Sequence, residues 1–208
     1  MNWLGHLLVL PDQGLVTLGN LLGDFIKGRV DKIEPRDLRI GVALHRELDR
    51  YTDDHPAVLR SKALISPQRR RIAGILVDVF YDHFLAQGLD VDSFRPGLLE
   101  HAHSLPEALR PLPARMITSS WLGSYSTVEG IGYVLSRMEQ RRKRIIGLDG
   151  AESELSQHYE ALSRDVRDFY PDVARFTKEA LHRLRSASPE EPRADGAEES
   201  SLDHLRIV

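Results

Sequence analysis

The run RRRIAGILVDVFYDHFLA at residues 69–86 constrains this chain more than any other, because Asp78 is its sole charged residue between Ile72 and Tyr81. A helix that is apolar on nearly all sides has to be buried among other elements, so this run predicts a central helix around which the rest packs. Apolar residues recur at helical spacing through most of the remaining sequence, while two-residue alternation rich in Val, Ile and Thr is hard to find. The spacing therefore predicts an all-α protein, with helices over about 15–27, 36–51, 55–64, 67–87, 95–109, 112–121, 127–145 and 151–185. Pro35, Pro56, Pro67, Pro96, Pro106, Pro111 and Pro113 punctuate them, several at positions where a helix can begin. With 208 residues, 41% of them apolar, the chain can bury a substantial core, and one helical domain over 1–185 is the simplest organisation. The segment SASPEEPRADGAEESS at 186–201 is too acidic, small and proline-bearing to bury itself, which predicts a disordered tail over 186–208.

Charge and composition exclude several functions. There is no cysteine, so a disulfide, a thiolate ligand and a cysteine nucleophile are all ruled out, and any metal must be held by oxygen and imidazole. No phosphate-cradling or dinucleotide glycine loop is present, and GSYS at 123–126 lacks the strand-to-helix setting of a nucleophilic serine. The start, MNWLGHLLVLPDQG, lacks the basic segment of a secretory signal, and no apolar run reaches the ~18 residues of a membrane span. A cytoplasmic protein without membrane contact is expected. The net charge of −3 argues against nucleic acid as a general partner. The clusters RRR at 69–71 and RRKR at 141–144 stand out from it, either as solvated helix ends or as docking points for an acidic partner.

Carboxylates and imidazoles recur where burial is expected, and a buried charge without a partner costs several kcal/mol. Asp78 and Asp82 are one helical turn apart on one face, with His83 beside Asp82. Two like charges stacked in a core stay ionised together only with a cation or several donors between them, which makes a divalent ion one reading and capping of a neighbouring helix the other. On the helix over 36–51, Leu38, Val42, His45 and Asp49 form one stripe that begins apolar and ends in two potential ligands. Asp24 lies in GNLLGDFIKG, where Gly19, Gly23 and Gly28 let another backbone or a ligand come close. His6 has apolar neighbours in WLGHLL and reads as a core histidine or as one more ligand. Asp53, Asp54 and His55 follow at the end of the 36–51 helix, just before Pro56, where one of them can cap the next helix. Histidines and aspartates from several helices in this pattern point to a metal-dependent phosphohydrolase.

The segments MNWLGHL, LGNLLGDFIKG, GVALHRELDRYTDDHP, RRRIAGILVDVFYDHFLA, WLGSYSTVEGIGYVLSRMEQR and FYPDV, taken together and in this order, resemble the acyl carrier protein phosphodiesterases, which are related to the HD-domain phosphohydrolases. The resemblance covers about residues 1–182 and implies an HD-domain-like helical bundle. It implies hydrolysis of the phosphodiester joining 4′-phosphopantetheine to a serine of holo-acyl carrier protein, with Mn²⁺ favoured and Mg²⁺ or Fe²⁺ as alternatives. Carried onto this sequence, it implies metal ligands among His6, Asp24, His45, Asp49, Asp78, Asp82 and His83, with His45, Asp82 and His83 in catalysis. The doublet Asp82-His83 stands in reverse order to the usual His-Asp doublet of HD domains. Because carrier proteins are acidic, the resemblance also turns Arg69, Arg70, Arg71, Arg141 and Arg142 into substrate-docking candidates. Two other readings stay open: a phosphohydrolase acting on a nucleotide or small phosphate ester, and a helical module that binds acyl carrier protein without cleaving it.

Overall fold

The structure is a computed structural model that describes residues 1–118, 121–142 and 144–187. Helices α1 (Trp3–Leu8), α2 (Leu15–Leu22) and α3 (Arg36–Asp54) lead into α4 (Pro56–Leu64) and α5 (Ala73–Ala86). Next come α6 (Arg95–Glu100), α7 (Pro111–Thr118), α8 (Trp121–Ser124), α9 (Val128–Gln140), α10 (Glu152–Gln157) and α11 (Tyr159–Ser186). There is no strand among the described residues, and none of their helices is long and apolar enough to cross a membrane.

The starts and ends follow local chemistry. Pro56 opens α4, where His55 Nδ1 accepts the hydrogen bond of the Ala57 N–H. Thr127 caps α9 by accepting from the Gly130 N–H. The expected helix over 127–145 stops at Gln140 because the Glu139 carboxylate accepts from the Ile146 and Leu148 N–H groups and folds the chain back on itself. The expected helix over 95–109 ends at Glu100 and continues as 3₁₀ turns at Ala102–Ser104 and Glu107–Leu109, with Pro106 between them. The run 67–87 is likewise divided, a 3₁₀ segment over Pro67–Ile72 preceding α5. The six-residue α1 escapes sequence reading because it has no side-chain cap of its own. Of the expected tail, residues 188–208 lie outside the described residues.

Two apolar clusters meet at α3. The larger joins Leu44 and Leu48 of α3 to Leu76 and Phe80 of α5, Leu135 of α9 and Phe169 of α11. The smaller joins Leu38 and Val42 of α3 to Leu18, Leu21 and Leu22 of α2, and to Leu98, Leu105 and Leu109. Helices α2 and α3 cross at a pair of glycines. A Cβ on Gly19 would lie 2.5 Å from the Leu38 carbonyl oxygen, and one on Gly41 would lie 2.2 Å from that of Val16. This close crossing carries the stripe of α3 past α2, so that after Val42 it leaves the core and reaches a polar opening with His45 and Asp49.

Candidate metal centre

His6, His45 and Asp49 converge from α1 and α3, with ligand atoms all within 4.8 Å of one another. Asp49 serves both imidazoles. Its Oδ1 lies 3.1 Å from His6 Nε2 and its Oδ2 lies 3.1 Å from His45 Nε2. The two rings stack with centroids 4.1 Å apart. Asp24 approaches from beyond α2, its Oδ1 3.5 Å from His45 Nε2, and its side chain is 67% exposed against 37% for Asp49. The histidines thus form the floor of the site and Asp24 the mouth. Gly23 makes room for the floor, since a Cβ there would fall 2.3 Å from His45 Cγ.

The histidines differ in charge. Burial acts to lower His45, but its bonds to Asp24 and Asp49 overcome that and lift it to about 9. Burial lowers His6 to about 4, with the neighbouring His45 charge acting in the same direction. Burial acts to raise Asp49, yet the bonds from His45 and His6 outweigh it and hold its carboxyl well below the ordinary range. Asp24 is lowered too, first by its bond to His45. Every ring nitrogen here faces an oxygen: Nε2 of both rings faces a carboxylate, and Nδ1 faces an oxygen of Asn20. A neutral imidazole satisfies one such contact with its single proton; the other needs a second proton or a Lewis acid. Two imidazoles and two carboxylates with this surplus of acceptors suit a divalent ion that takes nitrogen and oxygen ligands.

Asp78, Asp82 and His83 lie outside the His6, His45 and Asp49 group. Asp78 Oδ2 accepts from the Met1 amino group at 3.4 Å, and the same amino group reaches Asp49 Oδ1 at 3.3 Å, so Asp78 stands one contact away from the cluster. Burial raises its carboxyl. The Asp82 oxygens accept from the Leu4 and Gly5 N–H groups, both at 2.9 Å, at the start of α1. Burial pushes Asp82 up to about 7 against the pull of those bonds. His83 meets the Tyr125 carbonyl oxygen through Nδ1 at 2.8 Å and the Tyr159 hydroxyl through Nε2 at 3.1 Å, so it ties α5 to other segments. Asp53 pairs with Lys62 at 2.8 Å. Sequence reading passed over Asn20, which is fully buried and touches both histidines. GNLLGD places an amide among leucines but does not by itself mark that amide as a partner of the histidines.

Of the first basic cluster, Arg69 reaches the segment that follows the second. Arg69 Nε donates to the Gly147 carbonyl oxygen at 3.2 Å and its Nη1 lies 3.5 Å from Glu154, so Arg69 holds the 141–149 loop rather than facing outward. Arg70 donates to the carbonyl oxygens of Lys62 and Ala63. Arg71, Arg141, Arg142 and Arg144 are exposed, and Ile145 beside them is 90% exposed. Lys143 lies outside the described residues.

The acyl carrier protein phosphodiesterase family profile matches residues 1–173, a span holding α1 to α10 and every residue of the cluster. The chain belongs to this family. Among curated relatives of the same name, one from Photorhabdus laumondii is 34% identical over 184 residues, covering 82% of this chain and 92% of its own. One from Yersinia pestis is 34% identical over 188 residues (84% and 96%), and one from an Enterobacter species is 35% identical over 184 residues (82% and 94%). No solved structure gives a significant match. As a phosphodiesterase family member, the chain is read as an enzyme, in keeping with a polar, partly open cluster at the end of an apolar helix stripe.

Proposed function

We propose that this protein is a cytoplasmic enzyme that hydrolyses the phosphodiester between 4′-phosphopantetheine and a serine of acyl carrier protein, using a divalent ion, with Mn²⁺ the first choice. The observation that carries the reading is the convergence of His6, His45 and Asp49 with acceptors on both sides of each ring. The family and the names of the relatives supply the substrate. The kinship to HD-domain phosphohydrolases belongs to this proposal as well, resting on the sequence resemblance.

In this reading His6 and His45 hold the ion through Nε2, and Asp49 holds it through a carboxylate oxygen. Asp24 completes the set from the mouth. When bound there, the ion supplies a water of lowered pKa and neutralises charge on the phosphoryl oxygens. His45 gives up its Nε2 proton before it can act as a ligand, so binding releases a proton below pH about 9. We assign His83 no part in proton transfer, because both its ring nitrogens are bonded away from the cluster. For docking we retain Arg71, Arg141 and Arg142, with Ile145 as an apolar contact among them.

The test is incubation of holo-acyl carrier protein with the purified protein and Mn²⁺, read by intact mass. Conversion to the apo carrier with release of 4′-phosphopantetheine is expected. An unchanged carrier mass, with the enzyme folded and metal-loaded, overturns the proposal.

A further inference from the structure

Asn20 sits on α2, completely buried, and makes three contacts that all concern the histidines. Its Nδ2 donates to the His6 carbonyl oxygen at 2.7 Å, which fixes the amide so that Oδ1 points the other way. Oδ1 then lies 3.0 Å from His6 Nδ1. The backbone carbonyl oxygen of the same residue lies 2.7 Å from His45 Nδ1. An oxygen against Nδ1 favours the tautomer with the proton on that nitrogen, which leaves the Nε2 lone pair free. In both rings Nε2 is the atom turned toward Asp49.

We propose that Asn20 is the positioning residue of the metal centre: its side-chain oxygen holds His6, and its backbone oxygen holds His45, as Nδ1–H imidazoles whose Nε2 atoms are presented to one cation. This rests on the reading of His6, His45 and Asp49 as metal ligands. One residue sets both rings because α2 ends against α3, with Gly23 one turn later leaving the space that His45 fills.

The two histidines answer differently to substitution, and that difference is the test. Asn20→Leu removes the acceptor for His6 and the donor to the His6 carbonyl, but the backbone oxygen facing His45 remains. Asn20→Asp keeps an acceptor toward His6 Nδ1 and replaces the donor by an ionisable carboxyl oxygen that faces the His6 carbonyl oxygen. If the acceptor matters, Mn²⁺ affinity falls about 10- to 100-fold in Asn20→Leu and is largely restored in Asn20→Asp. If Asn20 serves only to brace α1 through its donor, both variants lose affinity alike, and the proposal is overturned. It is also overturned if Asn20→Leu, folded by circular dichroism, binds Mn²⁺ as tightly as the wild type.

Long-range ¹H–¹⁵N spectra of the wild-type protein loaded with diamagnetic Zn²⁺ give a second readout that needs no variant to fold. Both histidines are expected to carry the proton on Nδ1; a proton on His6 Nε2 overturns the assignment. Wild-type protein that binds no divalent ion at all removes the metal reading together with this one. Tight wild-type binding that is indifferent to Asn20 removes this one alone.

Discussion

On α3, His45 and Asp49 sit one turn apart where an apolar stripe runs out of the core; on α5, Asp82 and His83 are neighbours on a helix that is apolar nearly all round. From composition alone the α5 pair is the more arresting, since fewer charges surround it. The structure gives the two pairs opposite surroundings. Asp49 is 37% exposed, and its oxygens face two imidazoles, whose remaining contacts are also to oxygen, and the Met1 amino group. Asp82 is buried and spends its oxygens on two N–H groups of α1, and His83 spends its nitrogens on a carbonyl and a hydroxyl. A buried carboxylate bonded to backbone N–H groups is structurally satisfied; a half-exposed carboxylate shared by two imidazoles beside further acceptors suits a metal.

The largest effect should come from Asp49. Asp49→Asn is expected to lower Mn²⁺ affinity by about 100-fold or more and to abolish measurable hydrolysis, because it removes the negative charge and one acceptor oxygen of the carboxylate that faces Nε2 of both rings. Titration of free Mn²⁺ by electron paramagnetic resonance checks this. Unchanged affinity would move the ion elsewhere and erase the contrast with α5.

The next effect is on pH. In EDTA, His45 has a folded-state pKa raised to about 9, so its stabilisation is complete below about 6.5 and is lost as pH rises through 9, up to about 3 kcal/mol. His6 is lowered to about 4, so its contribution is present above about 6.5 and lost as pH falls through 4. Asp82, raised to about 7, opposes the His6 trend below that pH, so the clear expectation for metal-free protein is a loss of stability from about pH 7 to 9 by denaturant unfolding, which Mn²⁺ should remove. Stability that keeps rising from pH 7 to 9 in EDTA would mean that His45 is not held between Asp24 and Asp49.

Asp82→Asn should do the opposite of Asp49→Asn. Exchanging one acceptor oxygen for a donor against the Leu4 and Gly5 N–H groups should cost about 1–3 kcal/mol in EDTA. Mn²⁺ affinity should stay near the wild-type value once the variant is folded. A loss of affinity as large as that of Asp49→Asn would return Asp82 to the metal centre.

The smallest effect concerns the approach to α5. Reversing Arg71, Arg141 and Arg142 to Glu should raise KM for holo-acyl carrier protein several-fold and flatten its salt dependence, leaving metal content unchanged. Arg69→Glu should lower the thermal midpoint instead, since Arg69 holds the Gly147 carbonyl and Glu154. Equal KM for the triple variant and the wild type from low to high salt would take these arginines out of the interface.

The helical class and most helix starts were open to reading in the sequence, because they depend on apolar spacing, prolines and caps that act within a few residues. The α3 stripe from Leu38 to Asp49 was legible for the same reason: residues three and four apart share a face whatever packs against it. The partner of each polar group was not legible. Asp82 and Asp49 are both carboxylates one turn from another polar side chain, and only the placement of α1 decided that one would meet backbone donors and the other imidazoles. Asn20 acquired its role in the same way, since an amide in a leucine-rich helix has no distinguishing neighbour until α1 and α3 close around it. Local sequence determined which faces were apolar and where most helices started; the crossing of α2 and α3 at Gly19 and Gly41 decided which polar atoms came within hydrogen-bonding distance, because such contacts depend on tenths of an ångström between segments far apart in the chain.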